Sequence, residues 1–508
     1  STQKVSPRQD NKNQPLPTEN DLEGKKEEDF RNKVKAKLQE QLLKGSQLVL
    51  LFNLVVPQLI ALLVEVLCNY ISIYFQVQNF GSGYYSCALV YTSYLFIVSK
   101  YFTQAIAQKH AVHLAEMIQL NKPKDEIQDA VSYHFKAQIV MGILLSIVGI
   151  AVAFILPDFP TYSTYIKVCG LFIPFCNAVS NSYSIVFMIE NRRLLMFGLT
   201  VARPILQVFI EVFCYSFFVN STMTENSPTT VAIVISNVVV AIWIIWFNYG
   251  KSALGVTNLE EFPDLKFSDW DFKKLLYSVK LIPAMVNGLS QVLFFVAVIM
   301  AEQDIAKTYS DADAALQMTY QVFVFAIFGQ IFKITATACS SLYTQMAISN
   351  HVAQNFTRVN TTKVVAILAG AVVNIILYLV VSQLSLFSMF SNSEVASIDI
   401  NNTLLYAAIA GLGQTITEIS STQSLVDNMW ILIVAIPVIK VIQILVVENY
   451  LVTTIGDGAD YIMMLFFTEM NSTGTGLIIV IIDIIMNVVK NKKQQKLNKA
   501  KKEHKKTQ

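Results

Sequence analysis

The sequence predicts an all-α polytopic membrane protein with twelve transmembrane helices, and its composition and patterning both support that class. Hydrophobic residues make up 54% of the 508 residues, whereas charged residues make up 15%. The mean hydropathy is +0.48. Apolar runs that exceed the roughly 20 residues needed to cross a bilayer recur along the chain. This composition excludes an ordinary soluble multidomain protein.

The twelve apolar runs are separated by polar connections. They are 47–76, 83–107, 131–156, 161–189, 194–219, 229–249, 275–300, 313–340, 363–386, 403–425, 429–451 and 474–490. If successive runs cross the membrane in alternate directions, about 30 of the 38 Lys and Arg residues fall on one side, together with both termini. The positive-inside rule makes that side cytoplasmic. We therefore expect an integral, multi-pass protein of the plasma membrane or an endomembrane.

Three inner connections are long, and the middle one separates two blocks of six spans. The three are 108–130, 250–274 and 341–362. We expect the following domains: a cytoplasmic N-terminal tail with an amphipathic segment (1–45), an N-lobe (46–250), a cytoplasmic linker (251–274), a C-lobe (275–490) and a basic cytoplasmic tail (491–508).

The two blocks share a pattern of prolines and polar residues. Pro57 is followed eight residues later by Glu65, and Pro283 is followed eight residues later by Gln291. The fifth spans of the two blocks match in the same way, with Ala202-x-Pro204 in one and Ala435-x-Pro437 in the other. We interpret the pattern as an internal duplication whose two halves share one orientation in the membrane.

Glu65 is the one ionisable residue in the first span. Helical spacing places Asn69 and Ser72 on the same face as Glu65. A carboxylate is costly in hydrocarbon, so this face should border a polar cavity or a charged partner.

Polar side chains form stripes in several other spans of both blocks. The candidates for coupling-ion or substrate contact on these stripes are Asn177, Asn181, Asn287, Gln291, Gln317, Tyr320, Gln414 and Glu418. Hydrogen bonding between helices explains any single stripe. Several stripes spread over both halves instead predict a polar cavity between the lobes.

Three further buried charges have a structural interpretation. Arg203 and Glu211 lie two helical turns apart, so they pair through Gln207 or with another helix. Lys440 is the repeat equivalent of Gln207 and is expected to bridge to Glu418 or Glu211. A fourth charge, Asp483, lies close to the inner surface and is expected to reach water instead.

With these features together, the sequence resembles the MATE (multidrug and toxic compound extrusion) transporters of the MOP flippase superfamily. The loop 114–131 is similar to a conserved inner loop of that family, and Thr344-Gln345 stands at the corresponding place in the second half. The turn 190–193 and the Arg203-Pro204 pair also match positions of the family pattern. The resemblance covers residues 46–490.

This resemblance implies efflux of organic cations or other small amphiphilic substrates, driven by proton or sodium antiport through alternating access of two lobes. The positions that carry acids in the family fall here at Ser72, Gln291 and Thr417, so the resemblance leaves both coupling ions open. Glu65 is the repeat equivalent of Gln291. We therefore predict that the coupling carboxylate has moved to the N-lobe, where protonation of Glu65 would compete with cation binding.

Two alternative functions remain open. One is a flippase of the same superfamily that moves a lipid-linked oligosaccharide or a lipid, and the other is a structural or receptor-like membrane protein that has lost coupling. The sequence has no P-loop, HExxH, GxSxG or paired-cysteine motif. We therefore expect no enzyme activity, no cofactor, no metal site and no nucleic-acid partner, with membrane lipid as the surrounding partner.

Overall fold

The computed structural model describes nine long helices and several short stretches of the chain. The residues described are 40, 42–80, parts of 102–120, 122–155, 169, 171–181, 193–218, 227–249, 286, 312–384, 400–426, 429–450, 453 and 461–504. The helices are α1 (Gln47–Phe80), α2 (Lys124–Ile155), α3 (Arg193–Phe217), α4 (Ser227–Tyr249), α5 (Ala312–Val352), α6 (Phe356–Gln383), α7 (Ile400–Val426), α8 (Trp430–Tyr450) and α9 (Tyr461–His504).

Each of these helices overlaps one of the apolar runs, and residues 171–181 form a further helical stretch within the fourth run. Within the described residues, α1, α2, α3, α6 and α9 each contain a segment long and apolar enough to cross a membrane. The predicted all-helical, multi-pass membrane class is therefore confirmed. The linker 251–274, nearly all of the seventh run and most of the amphipathic segment lie outside the described residues.

Helix α1 lies at the junction of two groups of helices. Leu50 and Val55 pack against α5 in one buried cluster. Further along the helix, Val66 and Ile73 pack against α5, α6 and α7 in a second cluster. The opposite side of α1 contacts α3. Helix α1 therefore buries the apolar residues that face these helices, whereas large apolar side chains on the rest of its surface stay exposed.

The two groups are built differently. The N-terminal group consists of α2, residues 171–181, α3 and α4, which share a core around Phe135, Cys176 and Ile244. The C-terminal group consists of α5 to α9, in which α5 and α7 pack most extensively. Gly411 of α7 allows that close approach, because a Cβ atom there would lie 2.5 Å from the Cβ of Phe332. The outward face of α6 leaves large apolar side chains exposed, as expected for contact with lipid.

Two of the long inner connections are shorter than predicted. The expected loop 341–362 is mostly helical, because α5 continues to Val352 and α6 begins at Phe356. The expected loop 108–130 is shortened by α2, which begins at Lys124. Hydropathy detects only the apolar part of a helix, whereas α5 extends beyond it with buried polar residues such as Thr344 and Asn350.

One end of the bundle brings together the start of α1, the α5–α6 turn and the C-terminal part of α9; we call it the terminal face. Arg358 donates hydrogen bonds to the carbonyls of Leu42 (3.1 Å) and Gly45 (2.5 Å). The Gln47 amide donates to Thr362 Oγ1 at 3.2 Å. These hydrogen bonds hold the start of α1 against the C-terminal group.

Candidate functional site

Glu65 forms an ion pair with Arg203 across the interface of α1 and α3. The guanidinium nitrogen lies 2.5 Å from Glu65 Oε1. The side chains retain 23% exposure at Glu65 and 30% at Arg203. The pair is therefore neither fully solvated nor sealed inside the protein. The sequence left two partners open for Arg203: Glu211 of the same helix, through Gln207, or a residue on another helix. In the structure the partner is Glu65 on α1.

Residues along the same faces of α1 and α3 are also partly shielded. Asn69 is half-buried one turn beyond Glu65, and Ser72 is buried. Gln207 is half-buried one turn beyond Arg203. Further along, the rings of Phe75 and Tyr215 stack with centroids 5.8 Å apart. The ion pair thus lies on a seam between α1 and α3 that mixes polar and aromatic side chains.

Glu211 is held by α4. Its Oε1 accepts a hydrogen bond of 2.5 Å from the Thr229 hydroxyl, which also lies 3.1 Å from the Tyr215 hydroxyl. Glu211 is completely buried. A buried carboxylate with a short hydroxyl bond stabilises the contact between α3 and α4. This arrangement supports the structural interpretation of Glu211.

The candidates of the fourth run face neighbouring helical segments. Asn181 donates a 2.6 Å hydrogen bond to Thr103 Oγ1, and Gln138 of α2 donates to the Thr103 carbonyl at 2.9 Å. Asn177 is half-buried. The contact of Asn181 is an interhelical hydrogen bond of the kind that explains a single stripe.

In the C-terminal group, Glu418 accepts a 3.0 Å hydrogen bond from the Ser340 hydroxyl on α5. Glu418 and Gln414 are half-buried on α7, and Lys440 is half-buried on α8. The structure therefore places Glu418 within the C-terminal group, at the contact between α5 and α7, and not beside Glu65.

Four candidates cannot be assigned contacts. Asn287 and Gln291 lie outside the described residues, and so does Pro283. Gln317 and Tyr320 lie in α5, but their side chains belong to the undescribed part. The proposed repeat relation between Glu65 and Gln291 consequently stays a prediction.

The structure reveals one charged pair that sequence analysis missed. Lys363 Nζ of α6 lies 3.2 Å from Asp483 Oδ2 of α9, and both side chains are 0% exposed. The prediction that Asp483 reaches water is wrong, because α6 covers it and supplies the opposite charge. Two opposite charges in two apolar spans were the available signal, since such residues pair within membrane bundles.

Within the described residues, no group of three or more His, Cys, Asp or Glu side chains is arranged to hold a metal ion. The described polar centres between helices thus include the ion pairs Glu65–Arg203 and Lys363–Asp483 and several interhelical hydrogen bonds. Such groups can exchange protons or bind charged solutes without a cofactor.

Comparison with solved structures identifies the architecture. One similar structure is an outward-facing multidrug resistance MATE family transporter of the MOP superfamily (TM-score 0.61, 16% identity, covering 88% of this chain and 98% of the other). A MATE structure in the straight conformation gives a TM-score of 0.63 at 15% identity, covering 89% and 98%.

A third similar structure is a MOP superfamily transporter from Pyrococcus furiosus, described as having a binding pocket of reverse polarity. It gives a TM-score of 0.62 at 14% identity and covers 88% of this chain and 98% of the other. No family model matches the sequence, and no curated protein sequence does. The protein is a multi-pass membrane protein with the fold of the MATE transporters of the MOP superfamily.

Proposed function

We propose that the protein is a secondary active transporter that exports organic cations or other small amphiphilic substrates by proton or sodium antiport. The observation that carries this proposal is the ion pair between Glu65 and Arg203. It lies on α1, the helix that contacts both helical groups. The fold shared with MATE transporters supports the same function.

The geometry of the pair supports a competition mechanism. Arg203 occupies the position beside Glu65 that an organic cation or an ion would take. Because both side chains are partly exposed, an incoming cation can reach Glu65 without unfolding the seam. Protonation of Glu65 would weaken its hold on either cation. Export then requires that substrate and coupling ion occupy Glu65 in turn.

We also propose the topology expected from the sequence: twelve spans in two lobes with both termini in the cytoplasm. Under that topology the terminal face is the cytoplasmic end of the bundle. The bonds from Arg358 to Leu42 and Gly45 would then close the cytoplasmic side. Alternating access would require these bonds to break when the protein opens inward.

The experiment that tests the function uses the full chain reconstituted in liposomes, with ethidium as a fluorescent cationic probe. We expect an imposed pH or sodium gradient to drive ethidium movement by the wild type. Glu65→Gln should lose the gradient-driven component. Glu211→Gln is the matched control, because it neutralises another carboxylate of the same half that is held by Thr229.

The proposal fails if ethidium does not move under either gradient. It fails equally if Glu65→Gln transports ethidium as fast as the wild type. Loss of transport in both carboxylate variants would indicate general damage to the N-terminal group rather than coupling at Glu65.

A flippase is the second candidate, and the guanidinium of Arg203 is the observation that favours it. Arg203 is partly exposed, and guanidinium groups bind phosphate by paired hydrogen bonds. If this function is correct, the reconstituted protein should move a fluorescent anionic phospholipid between leaflets. Arg203→Gln should then stop lipid movement, and ethidium should remain unaffected by any gradient.

A further inference from the structure

The C-terminal group contains a series of polar contacts, most of them buried or half-buried, that none of the preceding functions uses. On α5, Ser340 donates to Glu418 at 3.0 Å, and Tyr343, three residues further, donates to Gln423. Both acceptors belong to α7. The two contacts therefore follow one another toward the terminal face, because α5 and α7 both run in that direction from their N-terminal ends.

The next contact in the series is the ion pair of Lys363 and Asp483. The ammonium of Lys363 lies 6.0 Å from the centroid of the Tyr343 ring, so it faces both a carboxylate and an aromatic ring. Tyr343, Lys363 and Asp483 are all 0% exposed. This places a complete positive and negative charge in the interior of a membrane bundle, where such residues usually serve ion pathways.

Polar contacts continue from the pair to the terminal face. Asn487, one turn beyond Asp483, donates to Asn360 Oδ1 at 2.8 Å. Asn491, another turn further, donates to Thr357 Oγ1 at 2.8 Å, and this contact is exposed. Asn487 is 1% exposed, and its Oδ1 has no hydrogen-bond partner among the described residues. A buried amide oxygen of this kind is a place for a water molecule or a proton donor.

We propose that the Lys363–Asp483 pair is a proton-binding site of the C-terminal group, reached from the terminal face along Thr357, Asn491, Asn360 and Asn487. The series of contacts from α5 to α9 links this site to Glu418. The proposal extends ion coupling to a second place in the molecule, and its test is independent of Glu65.

The proton transfer balances without a further reactant. A proton from water at the terminal face adds to an Asp483 carboxylate oxygen, and the contact of that oxygen with the Lys363 ammonium is released. Lys363 keeps its charge and remains close to the Tyr343 ring, which can stabilise a cation. Return of the proton to water restores the ion pair.

The titratable and charged groups on the helices packed around this site include Lys333, Tyr343 and His351 on α5, Arg358 on α6, Glu418 on α7, Lys440 and Glu448 on α8 and Lys490 on α9. Among these, the ring of Tyr343 contacts Lys363 directly. Lys490 lies over the ring of Phe356 at 5.7 Å, at the terminal face. Protonation of Asp483 would therefore leave the Lys363 charge beside the Tyr343 ring.

The test is infrared difference spectroscopy of the full chain in liposomes between neutral and acidic pH. We expect the wild type to develop a carboxylic-acid C=O band on acidification that Asp483→Asn lacks. Glu65→Gln should keep this band, so that a failure of the proposed antiport function leaves the test intact. If Asp483→Asn does not fold, the double variant Lys363→Met with Asp483→Leu serves as the blank, meaning the reference protein that lacks the Asp483 carboxyl group.

The double variant suits this purpose because apolar residues of similar volume usually replace a buried ion pair without loss of stability. If the acid-induced carboxyl bands of the wild type are all present in the blank, Asp483 does not bind a proton and the proposal is overturned. If one band is missing in the blank and present in Glu65→Gln, the pair is a proton site. A purely structural ion pair would produce no Asp483-dependent band.

Discussion

The ion pairs Glu65–Arg203 and Lys363–Asp483 have the same chemistry and different surroundings. Glu65 and Arg203 join α1 to α3 with about a quarter of each side chain exposed, whereas Lys363 and Asp483 join α6 to α9 with none. A solute can compete for the first pair directly. The second is closed to larger solutes in this structure. Under the two proposals above, exposure therefore separates the pair proposed for substrate exchange from the pair proposed for proton binding.

The packing of the two regions accounts for this difference. The first pair lies on the seam between α1 and the N-terminal group, and α1 also packs against α5. The second pair lies within the C-terminal group, where Lys363 faces Tyr343 of the buried cluster that also contains Ala347 and Ile419. A seam between groups can open when the groups move, whereas the interior of one group stays packed.

The largest expected effect is the loss of one partner of the fully buried pair. Asp483→Ala leaves the Lys363 ammonium without its carboxylate in the interior, which should cost about 3–5 kcal/mol of unfolding free energy. Thermal unfolding of the protein in detergent measures this. The matched control, Lys363→Met with Asp483→Leu, should stay close to the wild type, and equal destabilisation of both variants would contradict the account.

The packing of the two groups gives the second prediction. Gly411→Ala would place a Cβ 2.5 Å from the Cβ of Phe332, so we expect a loss of about 1–3 kcal/mol. Gly198→Ala in α3 meets no atom within 4 Å. Because alanine favours helix, that control should be neutral or stabilising by up to about 1 kcal/mol. Similar unfolding midpoints for the two variants would show that α5 and α7 are less closely packed than described.

A pH effect of about 1 kcal/mol is expected at the start of the connection 108–130, where His110 stacks on His134 of α2 with ring centroids 3.9 Å apart. Burial, with the neighbouring His134 and His113 rings, lowers the pKa of His110 well below its ordinary value of 6.5. The unfolded chain therefore binds this proton more readily, so stability should be present above pH 6.5 and fall as the pH drops below it.

Unfolding midpoints between pH 7.5 and 5.5 measure this effect. His110→Asn should reduce the slope, whereas His113→Asn, at a half-buried position, should retain it. If the unfolding midpoint depends on pH equally in the wild type, His110→Asn and His113→Asn, His110 is not the source of the effect.

The smallest expected change in the free energy of unfolding is at the partly exposed pair of Glu65 and Arg203. Glu65→Gln and Arg203→Gln should each change the unfolding free energy by no more than about 1 kcal/mol, because partly exposed ion pairs contribute little. The same detergent unfolding assay measures it. A loss as large as that of Asp483→Ala would show that Glu65 and Arg203 hold the seam together and that the comparison between the pairs is wrong.

The class of fold was predictable from the sequence because bilayer-length apolar runs are a strong signal. Hydropathy placed α1, α3 and α8 within a few residues, since these helices are apolar almost throughout. The isolated charge of Glu65 indicated a partner or a cavity, and the structure supplies Arg203 as that partner.

The remaining features depend on tertiary packing. Helices α5 and α9 extend far beyond their apolar runs, because buried polar contacts and solvated lysines continue a helix without any hydropathy signal. Which charges pair depends on which helix faces meet. Arg203 had Glu211 two turns away on its own helix but pairs with Glu65, and the partner of Asp483 lies 120 residues away in the sequence.

The central claim is that Arg203 competes with a substrate cation for Glu65. The most direct measurement is calorimetric binding of tetraphenylphosphonium, an organic cation, to the wild type, Arg203→Gln and Glu65→Gln. Removing the internal competitor should tighten binding about tenfold, which corresponds to about 1.4 kcal/mol, and removing the carboxylate should abolish it. Binding that weakens or stays unchanged in Arg203→Gln would contradict the claim.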